Sequence, residues 1–208
     1  MTYALFSTAW FAPVEYYMNF NRHQRRMIEG AENYVKQSYR NRCVIAGANG
    51  PLTLSLPIES NGPVRTSIRD IKISEHGNWQ HIHWNSISSA YNSTPFFEYY
   101  ADDIHPFFEK KQRYLFDLNE KIREKICELL PIDATAEITT EYIPGKAVSE
   151  DILDLRQAIQ PNKDLLSKEL YPAFKPYYQV FERKFGFIPN LSILDLLFNM
   201  GPEAILYL

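Results

Sequence analysis

Cysteine is scarce in this chain. Of 208 residues only Cys43 and Cys127 carry thiols, too few for a disulfide framework, and neither sits in a Cys/His spacing that would hold zinc. His81 and His83 are two apart and diverge on a helix, so no metal pair is expected. Walker A, GxGxxG, GxSxG and HExxH patterns are all missing, so the common phosphate-loop, dinucleotide, hydrolase and zinc-protease signatures supply no reading, and the cofactor is left unknown. No apolar run approaches the ~20 residues of a membrane-spanning helix. The opening MTYALFSTAWFAPVEYY is apolar but has no basic leader and no clean small-residue cleavage site. These absences predict a cytoplasmic protein without a transmembrane segment. Repeats, low-complexity tracts and linkers are lacking as well, which predicts a single domain over residues 1–208.

What is present is aromatic and unevenly charged. Fourteen Tyr, 13 Phe and 3 Trp supply core, and Tyr can also line a polar site. The net charge of −3 argues against nucleic acid as the partner. Residues 22–42 nevertheless hold six cations against two acids, a local +4, so the rest of the chain carries −7. A basic patch on an acidic protein points to a discrete anionic ligand more than to a polyanion. The alternative is that these cations pair with acids of the same chain.

Periodicity predicts strands at 3–8, 33–38, 42–46, 52–58, 66–73 and 136–142, with a hairpin turn at Asn49-Gly50. Residues 33–73 therefore read as an antiparallel meander. Helical spacing appears at 14–28 after a turn, 78–91, 96–110, 113–130, 150–159 (Ser149 as cap), 176–185 and 191–200. The expected class is α+β, a mixed, largely antiparallel sheet covered by helices; a three-layer α/β arrangement is the alternative.

Three stretches carry candidate chemistry. In NYVKQSYRNRCVI (33–45), a continuous strand puts Tyr34, Lys36, Ser38, Arg40 and Arg42 on one face, where unneutralised cations repel. In HGNWQHIHW (76–84), Trp79 and His83 share a helix face and Tyr91 follows two turns on; His83 is the acid/base candidate because imidazole titrates near neutral pH. In NLSILDLLFNMG (190–201), an apolar helix carries the polar stripe Ser192, Asp195, Asn199. Buried polar groups need partners, and an orphan costs about 1–3 kcal/mol. The stripe is met either by the cations of 36–42 or by a ligand. Asp195 and His83 are the candidate catalytic residues. Tyr34, Lys36, Arg40, Asn41, Arg42, Trp79, Tyr91, Ser192 and Asn199 are the candidate binding residues.

Together these segments resemble the WbqC-like family. The resemblance rests on Tyr34-x-Lys36-x-x-Tyr39-Arg40-Asn41-Arg42, on Leu54-x-Leu56-Pro57, on Trp79 with His83 and Tyr91-x-x-x-Pro95-Phe96, and on Tyr178-Gln179-x-Phe181 leading into Gly186 through Gly201. Relatives often open with a strand and Gln-Pro; here Thr8-Ala9 stands in that place, with Pro13 kept and Glu15 where a glycine would fall. The resemblance implies a role in surface polysaccharide (O-antigen-type) biosynthesis. The implied activity is a transferase moving a glycyl or other small acyl group to a nucleotide- or lipid-linked sugar, which makes the expected small anionic substrate a nucleotide-sugar or sugar phosphate. A non-catalytic binding or structural protein of such a pathway is the alternative.

Overall fold

The computed structural model describes residues 2–59, 65–145, 151–161 and 174–208. Its centre is β1 (Tyr3–Ser7), whose Ala4, Leu5 and Phe6 are shut away from solvent on both faces. A strand buried on both sides reads as an unbroken apolar run, and that is what a central parallel strand requires. Four strands form the sheet in the order β5-β2-β1-β6: β2 (Arg26–Glu29) and β6 (Ile152–Asp154) flank β1, and β5 (Glu137–Ile138) pairs with β2. Every pairing in this sheet is parallel.

The α+β class holds, but the larger sheet is parallel, and the antiparallel meander reduces to one hairpin. That hairpin is β3 (Arg42–Gly47) with β4 (Gly50–Ser55), closed by Ala48-Asn49, one residue before the expected Asn49-Gly50, with Gly50 at φ 111° as the first residue of β4. Residues 33–38 are turn rather than strand. Gln37 sits at φ 58°, and Ser38 Oγ donates to the Val35 carbonyl at 2.7 Å. This local side-chain bond competes with strand pairing and wins. Residues 66–73 form a one-turn 3-10 helix (Ile68–Asp70) and isolated bridges. Ile71 and Ile73 still point into the core, as alternation predicts.

Helix α1 (Val14–Arg22) begins at Pro13, and Phe6 of β1 meets its Tyr16 and Phe20 at 5.0 and 5.5 Å between ring centres. Helices α2 (Trp79–Tyr91), α3 (Phe97–Ile104), α4 (Pro106–Glu109) and α5 (Leu115–Leu129) follow close to the spacing expected of them, Pro106 opening α4. The segment expected to be a helix over 150–159 is instead β6 and a turn. Its Ile152, Leu155 and Ile159 mimic helical spacing, but Tyr3 N–H donates to the Asp151 carbonyl and Leu155 N–H to the Leu5 carbonyl, which align the segment along β1. The proposed Ser149 cap lies outside the described residues. Of the expected helix over 176–185 only α6 (Glu182–Phe185) forms; the preceding residues run irregularly and aim Tyr177 and Gln179 inward.

Helix α7 (Ile193–Met200) is buried nearly all round, as its composition demands. Its N-terminal approach is stitched to the β1–α1 turn. Val14 N–H donates to the Leu191 carbonyl, Ile193 N–H to the Ala12 carbonyl, and Ser192 N–H to the Val44 carbonyl of β3. The helix stops at Gly201, φ 56°, where an added Cβ would lie 2.5 Å from the Phe96 ring. Gly201→Ala is therefore expected to lose about 1–3 kcal/mol from overpacking, besides backbone strain. Urea unfolding would show it as a lower midpoint with an unchanged slope.

Candidate functional site

All four parallel strands deliver their carboxyl ends to one edge. In open sheets of this kind ligands settle outside those ends, where the chain reverses the direction in which it adds strands. Here that point lies between β1 and β6, because β2 was added on the other side of β1. A narrow cleft of about 10 Å³, room for about one water, opens there, lined among others by Ser7, Thr8, Ala9, Tyr39, Arg40 and Arg156.

Its walls are charged and interlocked. Arg40 grips Glu32 with two nitrogens (Nε to Oε1, 2.8 Å), and its Nη2 donates to Ser7 Oγ at 2.6 Å. Arg156 grips Asp154 in the same forked way, at 2.9 and 2.7 Å, and donates to Glu29 Oε2 at 2.9 Å. Burial pushes the Asp154 carboxyl up, but hydrogen bonds from the Arg156 side chain and backbone outweigh it and hold the group below the usual range. Glu29 also accepts from Thr139 Oγ1 and from the N–H groups of Ala31 and Ile143. Thr8 Oγ1 donates to Glu120 Oε1 at 2.9 Å, and Arg123 Nε holds the other oxygen of Glu120 at 2.8 Å. Three arginines thus meet four carboxylates, a formal −1. Forked guanidinium–carboxylate pairs are the strongest contacts available to such groups and fix both partners' orientation.

The residues singled out from the sequence fall in three places, and only Arg40 lines this cleft. Tyr34, Arg40 and Arg42 share one neighbourhood: burial pushes the Tyr34 hydroxyl up, against the pull of Arg42 and then Arg40. Lys36 stands exposed in the turn between them. Asn41 Nδ2 donates to the Leu56 carbonyl at 3.0 Å. Among the described residues, Asn41 Oδ1 and Arg42 Nε are buried without a partner.

The second place is aromatic. His83 lies between Trp10 and Trp79, at 5.4 and 5.6 Å between ring centres. Burial lowers it to about 4, so the ring is neutral at pH 7. Trp79 also lines a separate recess that includes Lys111.

The third place explains the polar stripe of α7. Asp195 has no exposed surface. Its carboxylate accepts from Tyr177 hydroxyl (2.7 Å), Gln179 Nε2 (2.8 Å) and Tyr91 hydroxyl (3.0 Å). Burial pushes it up to about 6 against these three donors. None of the three lines the carboxyl-edge cleft. Asn199 Nδ2 donates to the Asp195 carbonyl, and Ser192 caps α7 while its hydroxyl donates to the Phe11 carbonyl at 2.8 Å. The stripe faces neither the cations of 36–42 nor open solvent; it meets neutral donors from residues 91 and 177–179.

Reading from sequence missed Ser7, Thr8, Glu29, Glu32, Glu120, Arg123, Asp154 and Arg156 as a group. One signal was available: Glu29 and Asp154 each close a short apolar pair, Met27-Ile28 and Ile152-Leu153, as polar residues do at the carboxyl ends of parallel strands.

A family model described as the WbqC-like protein family matches residues 10–169, most of the chain but short of α7. An uncharacterised protein of Mycobacterium tuberculosis, Rv1507c, is 28% identical over 196 residues, covering 84% of this chain and 83% of its own. No solved structure matches at a significant level.

Two outcomes follow from the geometry. Arg40 is 2% exposed, so Arg40→Ala strands the Glu32 carboxylate and is expected to destabilise by about 3–5 kcal/mol in urea unfolding, whereas a double Arg40→Met, Glu32→Leu variant loses less. Asp195 contributes its full stability below about pH 4, where it is protonated in both states, and that contribution is lost as pH rises through its folded value near 6. The stability of Asp195→Asn relative to the natural chain should therefore rise by on the order of 3 kcal/mol between pH 4 and 7, on top of a constant offset for rearranged hydrogen bonds. A flat difference curve would contradict it.

Proposed function

Because the chain belongs to the WbqC-like protein family, we propose that it is a cytoplasmic transferase of surface polysaccharide (O-antigen-type) assembly. It moves a glycyl or other small acyl group to a nucleotide- or lipid-linked sugar whose anionic part sits at the carboxyl-edge cleft. One observation carries the reading. Arg40, from the most cation-rich stretch of the sequence, comes to the wall of that cleft beside Ser7, in company with Arg156. A phosphate arriving there has to part the narrow cleft, and it competes with Glu32 and Asp154 for guanidinium forks that these carboxylates already orient. Lys36, Arg42, Tyr34 and Asn41 lie in the same segment of chain but do not line the cleft.

Rate enhancement in this reading comes from holding donor and acceptor in register and from fixed dipoles. His83 is neutral at pH 7 and, with its value lowered to about 4, only a weak base; it lies between Trp10 and Trp79 and does not line the cleft. Asp195 keeps its candidate role only through Tyr91 and Tyr177, whose hydroxyls it orients. No helix among the described residues is long and apolar enough to cross a membrane.

The second reading is a non-catalytic binding or structural protein of the same pathway, and the forked Arg40–Glu32 pair favours it, since the cation is already satisfied inside the chain. A thermal-shift series with uridine diphosphate, sugar phosphates and inorganic diphosphate separates anion binding from none. The transferase reading expects stabilisation of about 2.7 kcal/mol at a hundredfold excess over Kd. Arg40→Lys, which keeps the charge but loses the fork, should weaken binding about tenfold. Incubation with nucleotide-sugars and activated glycine, read by mass spectrometry, then decides between the two: binding without product supports the second reading, and no shift with any anion sinks both ligand readings.

A further inference from the structure

Tyr39 is a wall between two recesses. One is the carboxyl-edge cleft. The other, about 150 Å³, lies on its far side against the hairpin and the approach to α7, and none of its lining residues carries a charge. Its polar groups are two carboxamides, Asn190 and Gln160, and the Tyr39 hydroxyl; its flat apolar surfaces are Pro51, Pro161 and Pro189.

Asn190 is built into place. It is 6% exposed and held at φ 55°, a left-handed conformation that costs free energy unless the surroundings enforce it. Glu15, itself buried, does the enforcing. Its N–H donates to Asn190 Oδ1 at 2.9 Å, and its carboxylate accepts from Asn190 Nδ2 at 3.0 Å. These bonds use one donor and one acceptor position of the carboxamide, whose capacity is two of each. Gln160 likewise commits one amide hydrogen, to Gln157. Burial, with the field of Glu15 and then Cys43, pushes the Tyr39 hydroxyl up to about 12, so it is a fixed donor at neutral pH.

We propose that this recess is a subsite for a neutral sugar ring, its hydroxyls paired to the Asn190 and Gln160 carboxamides and its C–H face laid on Tyr39 and the prolines. Paired donors and acceptors of carboxamides match ring hydroxyls, which are both at once. The lack of charge excludes a phosphate here and assigns it to the other side of Tyr39. The two recesses are then the neutral and anionic halves of one bipartite site. The pairing rests on the transferase reading of the cleft; the sugar subsite itself stands on the recess alone.

The test is saturation-transfer NMR on the full chain with the methyl glycosides of glucose, galactose and N-acetylglucosamine, run alongside inorganic diphosphate titrations. At least one glycoside should bind in the millimolar range. Gln160→Trp, which fills the recess from its partly exposed rim, should weaken it about tenfold, roughly 1.4 kcal/mol, while leaving diphosphate binding unchanged. Glycoside binding that persists when diphosphate does not bind leaves the subsite standing and removes the anionic half. Folded protein that binds none of the three glycosides, or binds them equally well after Gln160→Trp, overturns the subsite whatever the diphosphate result.

Discussion

The structure hangs on the seam between the β1–α1 turn and residues 190–193. Phe11, at φ 41°, occupies a backbone conformation that a bulky residue adopts only when surroundings over-determine it. The seam does so from several directions: Ser192 bonds the Phe11 carbonyl, Ile193 bonds Ala12, Val14 bonds Leu191, and Asn190 clasps Glu15. Phe11 in turn stacks on Phe108, 5.6 Å away and nearly coplanar. Because Ser192 also bonds Val44, the same four residues join the parallel sheet's first turn to the antiparallel hairpin. Both recesses are consequences of this arrangement. The cleft opens where β1 leaves the sheet, and the neutral recess opens where residues 188–191 pass the hairpin.

The carboxyl edge shows how a basic stretch of sequence can fail to make a basic surface. Arg40 is neutralised by Glu32, eight residues away, and Arg156 by Asp154, two residues away. Desolvating these guanidiniums is affordable only because each meets a carboxylate with matched geometry. An incoming anion therefore gains the difference between its own contact and the carboxylate's, not the whole of an arginine's attraction. Affinity at such an edge is set by exchange.

Much of this was legible in the sequence, for definite reasons. Buried strand β1, the Asn49-Gly50 hairpin, α5 and the buried character of α7 follow from strong periodicity or from turn residues with one favoured geometry. The parallel sheet was hidden because the strands around β1 are two to four residues long and carry charges at their ends: Arg26 and Glu29 bound β2, and Glu137 opens β5. Alternation has no room to show itself there. Segment 150–159 was misread because three apolar residues at helical spacing are equally compatible with a short strand followed by a turn. The site was dispersed for a similar reason. Thr8, Glu120 and Arg123 meet across more than a hundred residues of chain, and local pattern cannot report such a meeting, whereas the need of Asp195 for partners was legible and its partners' identity was not.

The seam also fixes an order of events during synthesis. Glu15 and Asn190 lie 175 residues apart, a separation whose loop-closure entropy must be met before the contact returns anything. Until the later segment emerges from the ribosome, the β1–α1 turn has its backbone donors and acceptors unpaired and Glu15 without its carboxamide. Helix α1 is thus locked only after residues 190–193 are made. A nascent chain holds an aromatic-rich stretch, Trp10 through Phe20, in an unfinished state for most of its translation, when unmet apolar surface is a hazard.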